Sequence, residues 1–271
     1  MALSNPAFSR NAAFSAQGAV ATRQNVSAQQ LDEIYNRTSP TEGEVMTVED
    51  TIAKTAGAFA LLLAGAAVGW LTAESIPLLW IEAAIVGLVL GLVNSFKKEP
   101  SPPLILAYSA IQGVFVGGIS SFFDAQFPGI VVQAVIASLV VVGVTLALFA
   151  SGKIRASKRA TKVFMIAMIG YLVFSVVNLG IQIFGGAGGN PWGLRGIELN
   201  ILGFGVPLGV ILGVFVVILA AYSLVLDFDF IQRGVQNKAP RKYGWTGAFG
   251  IMVTIIWLYL EILRMLAIAR R

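Results

Sequence analysis

Seven apolar runs recur along this 271-residue chain after residue 50, each near the ~20 residues needed to cross ~30 Å of hydrocarbon. They predict spans at about 53–73, 76–96, 104–123, 130–151, 163–184, 206–228 and 246–267. Backbone inside lipid must satisfy its own N–H and C=O groups, and runs of this length do so as helices. The expected fold is therefore all-α: a polytopic membrane protein, a seven-transmembrane-helix bundle over residues 51–271. Residues 1–50 form a separate tail rich in Ala, Ser, Asn and Gln, read as disordered and cytoplasmic because it has no apolar stretch to pack. No secretory signal pattern precedes the first run. Thr47 followed by Asp50 marks the start of the first helix.

Only 12% of the side chains are charged, about half the ~25% of an ordinary soluble domain. The chain has neither cysteine nor histidine, which removes disulfides, thiolate nucleophiles, haem and iron–sulfur ligation and nearly every zinc or copper site. Ion chemistry here must run on carboxylates, backbone carbonyls and hydroxyls. No serine or threonine has a histidine base, so a non-enzymatic protein without a cofactor is expected. Retinal attachment would need a lysine in the last span, and residues 246–267 contain none.

The formal charge of +5 falls in short clusters between the runs, a topology signal rather than a nucleic-acid stripe. The even connections hold Lys97 and Lys98; Lys153, Arg155, Lys158, Arg159 and Lys162; and Arg233, Lys238, Arg241 and Lys242. The odd connections hold only Arg195. Even connections and N-terminus are thus expected in the cytoplasm. Arg264, Arg270 and Arg271 lie on the side that should be poor in positive charge, which leaves a re-entrant last helix open. Gly65–Gly69, Gly87–Gly91, Gly113–Gly117 and Gly209–Gly213 each put two glycines on one helix face, the pattern of close helix packing. The glycine-rich fifth connection places Pro191 and Trp192 at an interfacial turn and suggests no function.

Carboxylates within spans are the informative exceptions, because a charge in the bilayer normally faces the bundle interior or water. Glu82 and Glu261 sit at similar depth, roughly 9 Å from the outer boundary, and Asp227 close to the inner one. Two acidic levels around an apolar middle suit a cation or proton path closed at its centre. The structural alternatives are a solvated helix end for Asp229 and a snorkelled or arginine-paired acid for the others, with Arg264 the ready partner of Glu261.

The stretch "KKEPSPPLILAYSAIQGVFVGGISSFFDAQFPGIVVQAVIASLVVVGVTL", then "LVLDFDFIQ" and the closing "GAFGIMVTIIWLYLEILRMLA", in this order, resemble the transmembrane Bax inhibitor family in its bacterial branch. The likeness covers residues from about 50 to the end. It implies a seven-helix bundle with a central last helix, a cytoplasmic N-terminus and, in some members, a pH-sensitive calcium leak. In those members one aspartate on the sixth helix and one on the seventh share protons, since two close carboxylates do not both ionise easily. Asp227 takes the sixth-helix position. Thr254 stands where the second aspartate would be, so Asp229, or Glu261 two turns further along the same face, is the candidate to complete the pair. Glu82 matches a second-helix glutamate of the family, without the arginine expected about three turns later.

The leading expectation is a multi-pass protein of the bacterial plasma (inner) membrane that leaks calcium, other cations or protons, with Asp227 as the inner titrating group. The alternative is a non-conducting scaffold that binds other membrane proteins, such as a membrane protease, through its glycine faces. A proton-coupled exporter would show two related halves, and no internal repeat is visible.

Overall fold

The computed structural model describes residues 45–185, 191–201 and 204–271. Residues 1–44, and with them most of the expected tail, lie outside the described residues. The fold is an all-α bundle of seven helices: α1 Val48–Thr72, α2 Leu79–Phe96, α3 Pro102–Gln126, α4 Ile130–Ala150, α5 Lys158–Phe184, α6 Leu208–Gln236 and α7 Gly244–Ala269. All seven are long and apolar enough to cross a membrane. Between α5 and α6, a short 3-10 turn Gly193–Gly196 leads into an antiparallel hairpin of β1 Glu198–Ile201 and β2 Phe204–Pro207.

The helix starts follow local chemistry. Thr47 accepts from the Asp50 amide at 3.1 Å and caps α1, as its spacing predicts. Ser157 does the same for α5 through the Ala160 amide at 3.2 Å, so this helix begins five residues before the expected 163, in the polar segment ahead of the apolar run. The larger difference is at α6, expected to end near 228 and found to continue to Gln236. Beyond the lipid-like stretch the helix is held by an Asp229–Arg233 pair at 2.6 Å and by burial of Ile231 and Gly234. Asp227 and Asp229 therefore sit two turns inside a helix. The reading of Asp229 as a solvated helix end is corrected accordingly.

Glycine decides the tightest packing. An ideal Cβ on Gly65, Gly69, Gly113 or Gly117 would stand 2.2, 2.1, 2.2 or 1.9 Å from a backbone carbonyl oxygen of the partner helix, so α1 and α3 meet backbone to backbone. These faces are used up inside the molecule. α7 is the central element, packed on α1, α3, α4 and α6, with 56% of its apolar window buried against 11% for α2 and α5. It runs unbroken from one face of the bundle to the other, so the re-entrant form is not adopted. The C-terminal arginines are all engaged at the far face: Arg270 donates to Pro128 O and Gln133 Oε1, and Arg271 donates to Gly196 O.

The positively charged even connections are joined on one face together with the start of α1. Lys242 pairs with Glu99 at 2.9 Å, and Arg155 donates to Gln232 at 2.8 Å. Val45 bridges Pro240, the Met46 amide donates to Ala239 O at 2.7 Å, and the Met46 side chain is buried against Ile231, Ala239 and Tyr243. Asp50 clamps this strap to the α6–α7 connection by accepting from Arg241 Nη2 at 2.7 Å while also pairing with Lys54. Because Arg241 is largely exposed, the loss of its pair in Asp50→Asn should change global stability little. It should nevertheless loosen the strap, seen as faster hydrogen exchange at the Met46 amide. Unchanged exchange there would show that apolar burial of Met46 alone holds it.

Candidate functional site

The seam between α6 and α7 carries the acidic groups. The helices approach closely where Gly213 admits Met265 and Gly209 admits Ile268, an added Cβ meeting those side chains at 2.6 and 2.5 Å. Toward the face bearing the start of α1, Asp227 is 4% exposed and accepts a hydrogen bond from Thr254 Oγ1 at 2.7 Å. Thr254 is in turn 3.3 Å from Ser223 Oγ, one helical turn before Asp227 on the same face of α6. The expected position of Thr254 is thus met directly: it faces Asp227 across the seam. No ion pair to Asp227 exists among the described residues. A buried carboxylate needs hydrogen bonds or a cation to offset its lost hydration, and here the single hydroxyl of Thr254 offsets only part of it.

The second level lies seven residues along α7, about 10 Å away at 1.5 Å per residue. Glu261 is 3% exposed and accepts from Tyr171 of α5, from Arg264 Nη1 at 2.7 Å and from Arg195 Nη1 at 3.3 Å. Arg195 is itself 4% exposed. Its Nη2 donates to Tyr171 Oη at 2.7 Å, and its guanidinium lies 5.4 Å from the Tyr171 ring and 5.7 Å from that of Phe174. The chain can place an arginine here because Gly193, at φ 57°, turns the backbone where a Cβ would stand 2.6 Å from Asn178 Oδ1. Asn178 accepts from the Leu194 amide at 2.7 Å, and Trp192 stacks on Phe123 at 6.0 Å. Between the two levels, Ala220 and Leu224 of α6 and Leu258 of α7 are fully buried and fill the seam.

The structure brings Asp227 and Thr254 together and keeps Glu261 apart from them, so Glu261 does not complete an acid pair with Asp227. Asp229, two residues from Asp227, turns instead to Arg233. Glu82 lies exposed in the first turn of α2, with no polar partner among the described residues, and joins neither level. Among the described residues no three acidic side chains converge to hold a metal. Sequence reasoning missed Arg195, Tyr171 and Ser223. For Arg195 there was a signal: it is the one basic residue in the odd connections, near the level of a span glutamate. For Ser223 the spacing of four before Asp227 was available.

A family model described as Bax inhibitor 1 like matches residues 5–271, and so includes most of the tail that the sequence resemblance left out. No curated protein matches the chain. Seven apolar helices around a central last helix, an aspartate on the sixth and a match over nearly the whole length agree: the chain belongs to the Bax inhibitor 1 like family and is a multi-pass membrane protein.

Proposed function

We propose that this protein is a gated leak pathway for calcium, other cations or protons along the α6–α7 seam, held shut here, and that it has no enzymatic activity. The observation that carries this reading is Asp227: a carboxylate buried in a membrane span, bound by a hydroxyl and paired with no basic side chain among the described residues. Such a group is poised to take up a proton or a metal ion, because either would relieve the cost of its burial. Ala220, Leu224 and Leu258 form the barrier above it, and Met46 with Ile231 and Tyr243 the closure below. Opening then requires α6 and α7 to part at the Leu224–Leu258 level. The clustering of the basic connections on the face of the strap supports a bacterial plasma-membrane orientation with that face in the cytoplasm.

Reconstitution into vesicles loaded with a calcium- or pH-sensitive dye tests the reading. Asp227→Asn keeps the size and one acceptor but removes the charge, and flux should fall on the order of tenfold or more, which needs only about 1.4 kcal/mol added to the barrier. Equal flux from wild type and variant would remove Asp227 from the path.

A second reading is a scaffold for other membrane proteins. The filled seam favours it, since a protein that never conducts has no reason to leave space there. The glycine faces do not support it, because those of α1 and α3 are buried against each other, that of α2 against α3 and that of α6 against α7. Wild-type vesicles with no flux, together with a membrane protein co-purifying at fixed stoichiometry, would favour this alternative.

A further inference from the structure

The β1–β2 ribbon between α5 and α6 has two unlike faces. Its register sets Glu198 opposite Pro207, Leu199 opposite Val206, Asn200 opposite Gly205 and Ile201 opposite Phe204. Residues paired across an antiparallel ribbon share a face, and successive residues alternate. Leu199, Val206 and Phe204 therefore stand on one side, Glu198, Asn200 and Gly205 on the other. The polar side is turned toward the bundle. Glu198 lies over Gly205, whose ideal Cβ would be 3.3 Å from Glu198 Oε2, and it reaches Arg271 Nη2 at 3.7 Å, at the end of the central helix. The apolar side thus looks away from α7. Leu199 is 39% exposed and Phe204 74%, and neither belongs to an apolar cluster among the described residues. A two-stranded ribbon is marginal in water unless something covers one of its faces.

We infer that this apolar face inserts into the lipid headgroup boundary, on the side of the bilayer opposite the Met46 strap. Continuity argues for lipid as the cover. Pro207 of β2 is the N-cap of α6, and Ile211, Phe215 and Ile218 lie exposed along that span, so the ribbon starts where a lipid-facing surface ends. It does not sink deeper, because the open edges of a ribbon need hydrogen bonds that hydrocarbon does not supply and that water and headgroups at the boundary do. From Ile197 to Pro207 the one charged residue is Glu198, on the polar side and turned to Arg271, so no charge opposes insertion of the other face. The ribbon is also braced at its root. The Leu208 amide donates to Ile197 O at 2.8 Å, and Arg271 holds Gly196 O at 3.0 Å. This contact is separate from the acidic seam and does not depend on conduction.

The chain has no cysteine, so a single introduced cysteine can be spin-labelled in the full chain without background. In vesicles of phosphatidylcholine and phosphatidylglycerol, collision of each label with dissolved oxygen, which concentrates in lipid, and with a water-soluble nickel chelate reads its depth. Val173→Cys, on the exposed side of α5 in mid-span, and Lys153→Cys, exposed in the α4–α5 connection, give the lipid and water references. Leu199→Cys and Phe204→Cys should read between the two references, at a depth of about 5–10 Å into the headgroup boundary. Asn200→Cys, on the polar side, should read as Lys153→Cys does. Phe204→Asp should shift the label of Leu199→Cys toward the water reference, whereas Phe204→Leu should leave it in place. Labels at positions 199 and 204 that meet the nickel chelate as often as the label at 153 would put the apolar face in water and overturn the inference. Labels there shielded from both reagents would place protein over the face, a second copy of the chain in these vesicles, and overturn the assignment to lipid.

Discussion

Glu261→Gln should lower the stability of the purified protein by about 3–5 kcal/mol, the cost of leaving a buried charge without its partner. The variant is nearly isosteric, so packing is not the cause. Arg195 is 4% exposed, and without the carboxylate its guanidinium loses its counter-charge and keeps neutral partners: the glutamine carbonyl, Tyr171, Ser175 and two ring faces. Arg264 then stands beside it as a second positive charge with no negative charge between them. The three members of the cluster should rank in a definite order. Arg195→Met costs less than Glu261→Gln, because Glu261 still has Arg264 at 2.7 Å and Tyr171. Arg264→Met costs least, under about 1 kcal/mol, since a side chain 36% exposed is screened by solvent. Thermal unfolding in detergent or bicelles measures the order, and the Arg195→Met, Glu261→Gln double variant should recover part of the loss. A Glu261→Gln variant no weaker than Arg264→Met would show that the cluster is hydrated.

The same cluster explains how the fifth connection is held. Arg195 fastens the 3-10 turn Gly193–Gly196 down onto α5 and α7, and Arg271 fastens it from the other side through Gly196 O at 3.0 Å. Any widening of the seam at Glu261 has to break these bonds first. For a leak pathway this is an outer closure, independent of the Met46 strap that closes the opposite end.

What the sequence made legible and what it hid divide along a physical line. Length and hydropathy located all seven helices, because the bilayer sets one length for every span. The charge pattern separated the two faces, and the 1.5 Å rise put Glu82 and Glu261 at similar depth below the expected span ends. Azimuth was harder to read. α2 has no polar stripe, and only Gly87 and Gly91, which pack on α3, mark the face that turns inward; Glu82 ends exposed in the first turn of α2, while Glu261, eight residues before the end of the central helix, is buried. The end of α6 was misjudged for a related reason. Its polar last turns read as leaving the membrane, but the Asp229–Arg233 pair and the burial of Ile231 carry the helix on in polar surroundings. The contact of Arg195 with Glu261, 66 residues apart, follows from the docking of a loop that no periodicity encodes. The facing of Asp227 and Thr254 came from the family resemblance, and the 2.7 Å hydrogen bond gives it a physical content.

Gly117→Val should abolish the folded bundle, at a cost of about 4 kcal/mol or more, in the range of the most disruptive single substitutions. A Cβ at Gly117 would lie 1.9 Å from Ala66 O and 2.7 Å from Ala66 C. Both are backbone atoms of α1, so no rotamer change relieves the overlap. The two helices must separate, and separation also loosens the contacts at Gly65, Gly69 and Gly113, which depend on the same spacing. The comparison that isolates this cause uses alanine at three glycines. Gly117→Ala should be strongly destabilising. Gly87→Ala should cost less, because its nearest neighbour is Gln112 Oε1, the far end of a flexible side chain that can swing away. Gly143→Ala meets no atom within 4 Å and gains the helix propensity of alanine, so it should stabilise the protein by about 0.5–1 kcal/mol. Expression level and thermal midpoint of the three alanine variants give the order. If Gly117→Ala and Gly143→Ala behaved alike, α1 and α3 would have to stand further apart than backbone contact allows, and the glycine pairs would owe their spacing to something other than this interface.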